Sequence, residues 1–169
     1  KKGDNPHQLM MSATPIPRTL AMSYYADLDV TVLDELPPGR TPVKTKLLSR
    51  LEEAMAWKRI SEEVANGRQA FVVGPLVEDS PKVEAASATA EFNRLSALMP
   101  DLRVGLIHGQ LRPVEKEAVM SEFRAGEIDV LVATTVIEVG VDVPNATWLL
   151  VEHAERFGLS QLHQLRGRV

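Results

Sequence analysis

Several short stretches of this 169-residue sequence place hydroxyl, carboxylate, imidazole and guanidinium groups where they can do chemistry. Thr134 and Thr135 follow the apolar run "VLVA", so their hydroxyls and backbone N–H groups can hold a phosphate at a helix N-terminus. The plainer alternative is a helix cap, which needs only one hydroxyl. Asp142, two residues after Gly140, puts a carboxylate behind a tight turn, to accept hydrogen bonds from a ribose or to cap the turn into Pro144. His108 and Gly109 sit just past another apolar run, as a turn glycine with a surface histidine or as part of a ligand loop. Arg166 and Arg168, in "QLHQLRGRV", are either solvated helix charges or guanidinium groups able to take a phosphate through two parallel hydrogen bonds. Ser12, Ala13 and Thr14 precede "PIP" and read most simply as a helix start, with Thr14 as cap.

Other chemistries are missing. No G-x-x-x-x-G-K-[ST] phosphate loop, G-x-S-x-G, H-E-x-x-H or calcium loop occurs. His7, His108, His153 and His163 are too widely spaced to point to a metal site, and without cysteine there is neither a disulfide framework nor a thiolate metal site. No run is long enough for a membrane span, and "KKGDNPHQ" lacks the apolar core of a signal peptide. The net charge of −4 argues against bulk electrostatic binding of nucleic acid, so any such contact must rest on a few local groups.

These groups need elements to position them. "PPGRTP" (37–42) reads as a stiff connector. After it, strand and helix signals alternate. Strands are expected at Val43–Leu48, Gln69–Val77, Arg103–Gly109, Val130–Ala133 and Thr147–Glu152. A first helix begins at a Ser49/Glu52 capping box, with Leu51, Met55, Ile60 and Val64 as its apolar stripe and Gly67 as its end. A second carries Ala85, Ala88, Phe92, Leu95 and Met99 inward; a third opens at Pro113, with Val114, Ala118, Val119 and Phe123 inside and Gly126 at its end. The last, Gln161–Val169, puts Leu162, Leu165 and Val169 on one side and shows no glycine cap. Apolar rather than alternating strand runs predict an α/β fold, a parallel sheet covered by helices on both faces. Ligands of such sheets bind beyond the carboxyl ends of the strands, which selects the loops after Val77, Ile107, Ala133 and Glu152. The strand–helix–strand signal before the connector cannot bury its own apolar face and reads as the tail of a preceding domain.

In order, "SATPIPRTL", "PPGRTPV", "HG", "VLVATTVIEVGVDVPNA" and "QLHQLRGRV" resemble the motifs of superfamily 2 helicases. The nearest likeness is to the RecG-like ATP-dependent DNA helicases, which remodel branched DNA; it covers essentially the whole chain. The transcription-repair coupling factors share "TPIPRTL" and "QLHQLRGRV", but the connector looks more like the RecG type. The resemblance implies two RecA-like domains with ATP and Mg2+ in the cleft between them, bound mainly by the first. Residues 1–36 would end the first domain, 37–42 would link, and 43–169 would be a second domain of three-layer αβα type, cut at its C-terminal end.

By the family pattern, Gly140 and Asp142 lie at the nucleotide edge, and His108, Gly109, Thr134 and Thr135 face the DNA backbone. Ser12, Ala13 and Thr14 couple nucleotide state to DNA contact. Arg168 matches the first arginine of the G-R-x-G-R motif, whose arginines reach the γ-phosphate. The implied partners are branched DNA and the first motor and wedge domains of the same protein, in a bacterial cytoplasm. Lacking the phosphate loop and the magnesium-holding acidic pair, the chain alone is expected not to hydrolyse ATP. Exposed Leu20, Met22, Tyr24 and Tyr25 are expected to favour self-association. A helicase-shaped binding module without catalysis is the reading from a different class. A nicotinamide-binding domain fits less well, since no glycine-rich turn follows the first strand.

Overall fold

The structure, a computed structural model, describes residues 9, 11, 31–33, 35, 42–74, 81–134 and 143–169. The chain divides into two compact units, Lys1–Pro42 and Val43–Val169. In the first, the described Leu9, Met11, Val32 and Leu33 are exposed. Leu20, Met22, Tyr24 and Tyr25 lie outside the described residues.

The second unit is built on four parallel strands, β1 (Gln69–Val73), β2 (Val104–Ile107), β3 (Val130–Ala133) and β4 (Ala146–Val151), in the order β2-β3-β1-β4. Among the described residues four α-helices accompany them: α1 (Glu53–Ala65), α2 (Pro81–Leu98), α3 (Pro113–Arg124) and α4 (Leu159–Arg166). The inner strands β1 and β3 are buried at every position, while β4 at the edge is mostly half-buried. Their unbroken apolar runs follow from this, because both faces of an inner strand are covered.

The two-residue period of the strands sorts side chains into two cores. Ala70, Val72, Val130 and Val132 pack with Trp57 and Ile60 of α1 and Leu95 and Met99 of α2. Phe71, Val73, Leu131 and Ala133 point the other way, against Met120 and Phe123 of α3 and Leu165 of α4. Phe71 and Phe123 meet with ring centroids 5.0 Å apart and planes tilted by 58°. The result is three layers, helices–sheet–helices.

Helix boundaries obey local chemistry. Ser49 donates both its N–H and its hydroxyl to Glu52 at 3.0 Å, giving the expected capping box. Gly67 (φ +79°) and Gly126 (φ +76°) follow α1 and α3 in left-handed conformation, which costs glycine nothing. Pro113 opens α3, where a missing N–H leaves no bond unmade.

Four expectations are corrected. Val43–Leu48 forms no strand; it is mostly exposed and pairs with no strand among the described residues. The stripe of α1 is Ala56, Trp57, Ile60 and, as expected, Val64, whereas Leu51 (96% exposed) and Met55 face outward. For Leu51 the cause is the first turn, Arg50–Glu52, a 3-10 helix whose tighter winding rotates it out of register. Met55, inside α1, lies some 140° around the axis from Ile60 at about 100° per residue. In α3 the inward residues are Val119, Met120 and Phe123, with Val114 and Ala118 exposed. At about 100° per residue Ala118 lies some 140° around the axis from Phe123. Finally, α4 ends at Arg166 with Gly167 as its cap, whose N–H meets the carbonyls of His163 and Gln164, and Val169 reaches the core from beyond the helix.

Candidate functional site

The parallel strands end side by side, and of the candidate residues His108, Gly109 and Thr134 follow those ends. Ile107 of β2 is in register with Ala133 of β3, so the next residues, His108 and Thr134, leave neighbouring strands together. The N–H of Thr134 points to the carbonyl of Ile107 at 3.4 Å, and Thr134 is almost wholly buried. His108 is half-buried; its Nδ1 accepts from the Gln110 N–H at 3.3 Å and its carbonyl from the Leu111 N–H at 3.2 Å, so it is part of a turn presenting Gly109 to solvent.

At the end of β1 and β4, Gly74, Thr134, Glu152, His153 and Arg156 line one pocket together with Ser87, Ala88 and Glu91 of α2. The expected ligand loop after β1 begins at Gly74 rather than after Val77, because β1 ends at Val73. Residues 75–80 lie outside the described set, as do Ser12, Ala13, Thr14, Thr135, Gly140 and Asp142.

A charged cluster backs this pocket. Arg94 of α2 reaches Glu91 at 2.6 Å, Glu152 at 2.9 Å and Glu53 at 2.9 Å, linking the ends of α1 and β4 to α2. Its guanidinium lies 5.4 Å from the ring centre of Trp57, whose Nε1–H donates to Glu53 at 3.0 Å. That hydrogen bond, followed by those from Arg94, holds the Glu53 carboxyl below the usual range. Glu152 behaves oppositely: burial first, then the neighbouring Glu91 charge, push it up to about 7 against the pull of Arg94. Hydrogen bonding to Glu91 above all keeps Arg94 charged at any ordinary pH.

The sequence had singled out the loop after Glu152 but not Glu152 itself, nor His153, Arg156, Ser87 or the Arg94 cluster. Glu91 and Arg94 at i,i+3 were a visible pair. Glu53 and Glu152 join Arg94 from 41 and 58 residues away, which no local spacing reveals.

Arg168 is placed differently. It follows α4, is half-buried, donates its N–H to the carbonyl of Leu165 at 3.0 Å and makes no ion pair among the described residues. Burial of Leu165 in the α3/α4 core fixes the helix that Arg168 follows. Arg166 is exposed. Among the described residues no three acidic or histidine side chains are placed to hold a metal ion, and no helix is long and apolar enough to cross a membrane.

Comparison with known proteins bears on this edge of the sheet. Over 170 residues the chain is 55% identical to the ATP-dependent DNA helicase RecG of Escherichia coli K12, an alignment covering 100% of this chain and 24% of that protein. RecG of Aquifex aeolicus is 55% identical over 168 residues, 99% of this chain and 21% of that protein. The solved structure of RecG bound to a three-way DNA junction matches with a TM-score of 0.76 at 50% identity, over 94% of this chain and 20% of that one. The chain therefore spans about a quarter of the length of these curated relatives. The four-stranded parallel sheet between helix layers is thus the RecA-like arrangement of RecG. Residues 48–169 match the helicase conserved C-terminal domain, and the chain belongs to that family.

Proposed function

We propose that this chain is the second motor domain of an ATP-dependent DNA helicase that remodels branched DNA, such as forks and Holliday junctions, in bacterial recombination and repair. Residues 1–36 end the first RecA-like domain, 37–42 link, and 43–169 form the second. The observation that carries this reading is the 55% identity to RecG across the whole chain, including the stretches that hold His108, Thr134 and Arg168. The setting is the cytoplasm, and the partners are branched DNA and the first motor and wedge domains.

In this reading ATP with Mg2+ supplies the phosphoryl group whose transfer drives the motor. Most of its binding site belongs to the first domain. This chain contributes Gly140 and Asp142 at the ribose edge and Arg168 toward the γ-phosphate. A half-buried guanidinium with no acidic partner among the described residues has the donor chemistry such an anion takes. Arg168 neutralises charge in the transition state only when the other domain holds the phosphates, so closure favours hydrolysis and its products favour opening. His108, Gly109, Thr134 and Thr135 hold the DNA backbone meanwhile, and Ser12, Ala13 and Thr14 carry nucleotide state to it. Contacts that tighten and slacken out of step between the two domains turn the cycle into stepping.

The test is ATP turnover by the protein in which this chain follows its first motor domain, with and without forked DNA. Arg168→Ala is expected to lower kcat by about 10³ or more while nucleotide binding persists. Turnover near wild type would reduce Arg168 to a surface charge and sink the proposed mechanism.

A further inference from the structure

The pocket beyond β1, β3 and β4 encloses about 220 Å³, room for a phosphate group. Two of its features have no part in the reading above. One is Arg156, exposed and without an ion pair among the described residues, while Arg59, Arg94, Arg103, Arg112 and Arg124 each hold a carboxylate. The other is the pair Glu91 and Glu152, which line the same pocket and share Nη2 of Arg94.

The turn bearing Arg156 is held at both ends. The Glu152 N–H donates to the carbonyl of Val73 at 2.9 Å, extending the β1–β4 ladder. His153 then takes φ 50°, an uncommon left-handed conformation for a residue with a side chain, and its carbonyl receives the Arg156 N–H at 2.9 Å. Phe157 packs into the α3/α4 core.

A guanidinium without an ion pair among the described residues, lining one pocket with paired carboxyls, suits neither ligand charge by itself. A cation is refused by Arg156 and Arg94, and an anion by two carboxylates unless one of them holds a proton. Among the described residues the charged groups acting on Glu152 are Glu91 and Arg94 of α2 and Glu53 of α1, while His153 and Arg156 of its own turn and Thr134 line the same pocket. Among the described groups that line the pocket or pair with Arg94, Arg94 and Arg156 match Glu53 and Glu91 when Glu152 is neutral, and ionising Glu152 adds one negative charge. A phosphate fits the neutral state, taking hydrogen bonds from the guanidinium and one more from the carboxyl O–H.

We infer that this pocket is a proton-linked phosphate seat, in which Arg156 clamps a DNA phosphodiester and Glu152, beside Glu91, takes up a proton from solvent as it arrives. The inference rests on the DNA-helicase reading and adds Arg156 and Glu152 to its DNA face. Burial and Glu91 already push Glu152 up to about 7, and a further negative neighbour would push it in the same direction, favouring the protonated form.

The test uses the protein in which this chain follows its first motor domain, with forked DNA read by fluorescence anisotropy. From pH 6 to 8 at fixed salt, wild-type affinity is expected to fall ~10-fold, one proton being linked to binding. Glu152→Gln should keep its pH 6 affinity throughout, whereas His153→Gln should retain the wild-type dependence. Arg156→Gln should lower the slope of log affinity against log salt by about 0.9, the share of one duplex phosphate. Identical pH profiles for wild type and Glu152→Gln, or an unchanged salt slope for Arg156→Gln, overturn the inference. A raised KM for ATP in Arg156→Gln with the slope intact assigns the phosphate to the nucleotide and overturns it equally. Circular dichroism checks folding, and should Glu152→Gln misfold, Glu91→Gln reads the same carboxyl pair and should displace the pH profile. Failure of the wild type to bind DNA at any pH would instead refute the helicase reading.

Discussion

Glu91 and Glu152 meet on one nitrogen atom: their carboxylates lie 2.6 and 2.9 Å from Nη2 of Arg94. One cation cannot fully compensate two such neighbours, and Glu152, pushed up first by burial and then by Glu91, stands at about 7 against an ordinary 4.5. A carboxyl whose pKa rises on folding stabilises the fold below its unfolded value, and that stabilisation is lost as pH climbs through the folded one. Glu53 and Asp129, both lowered, act oppositely and matter only toward acid pH. Between pH 5 and 8 the thermal midpoint of this chain should therefore fall. Glu152→Gln should flatten that fall and raise the midpoint at pH 8 by about 2–4 °C. Arg94→Gln should steepen it. Parallel melting curves for wild type and Glu152→Gln across the range would contradict the assignment.

Gln69 opens β1 and is buried, with its amide nitrogen donating to the carbonyls of Phe123 at 2.6 Å and Ile128 at 2.7 Å. It ties the end of α3 to the sheet. Gln69→Leu keeps the volume but leaves buried carbonyls unpaired, so a loss of about 2 kcal/mol is expected in urea unfolding. A neutral result would mean that water replaces the amide.

Gly105 in β2 has no room for a side chain, because an added Cβ would lie 2.7 Å from the Ile128 side chain. Gly105→Val should cost about 1–3 kcal/mol through overpacking. Trimming the neighbour in Gly105→Val/Ile128→Ala should recover part of the loss if crowding is the cause, and none of it if backbone strain is.

The two cores lie on opposite faces of the sheet. Phe123→Ala, from one, should cost about 3–5 kcal/mol, and Leu95→Ala, from the other, about 2–5 kcal/mol. The double substitution, measured in the same denaturant series, should equal the sum within about 0.5 kcal/mol, as it does for sites without shared partners. A coupling above 1 kcal/mol would show that the strands transmit packing changes between faces.

The inner strands were legible because burial on both sides leaves an unmistakable apolar run; Val130–Ala133 was read to the residue. Glycine and proline marked the limits of α1 and α3 for stereochemical reasons that hold in any context. Leu51 falls outside the stripe of α1 because a 3-10 turn precedes that helix, and sequence periodicity assumes one winding throughout; Ile60 and Val64 pack inward as read. Val43–Leu48 has the composition of a strand, but a strand also needs a partner, which composition does not supply. At the site, His108 and Thr134 were legible as residues just past strand ends. The Arg94 cluster was not, since its members come together only when the sheet and two helices are assembled.

The turn from Glu152 to Phe157 is tied to the β1–β4 ladder at one end and sunk into the α3/α4 core at the other. Whatever ligand meets Arg156 encounters a backbone that has already surrendered its conformational freedom. The remaining ordering cost is that of one side chain, about 0.5–1.5 kcal/mol. Arrival at this turn should then be governed by diffusion and charge, with no slow folding of the loop around its guest. Preferences among ligands would be written in residence time, in how long each stays bound.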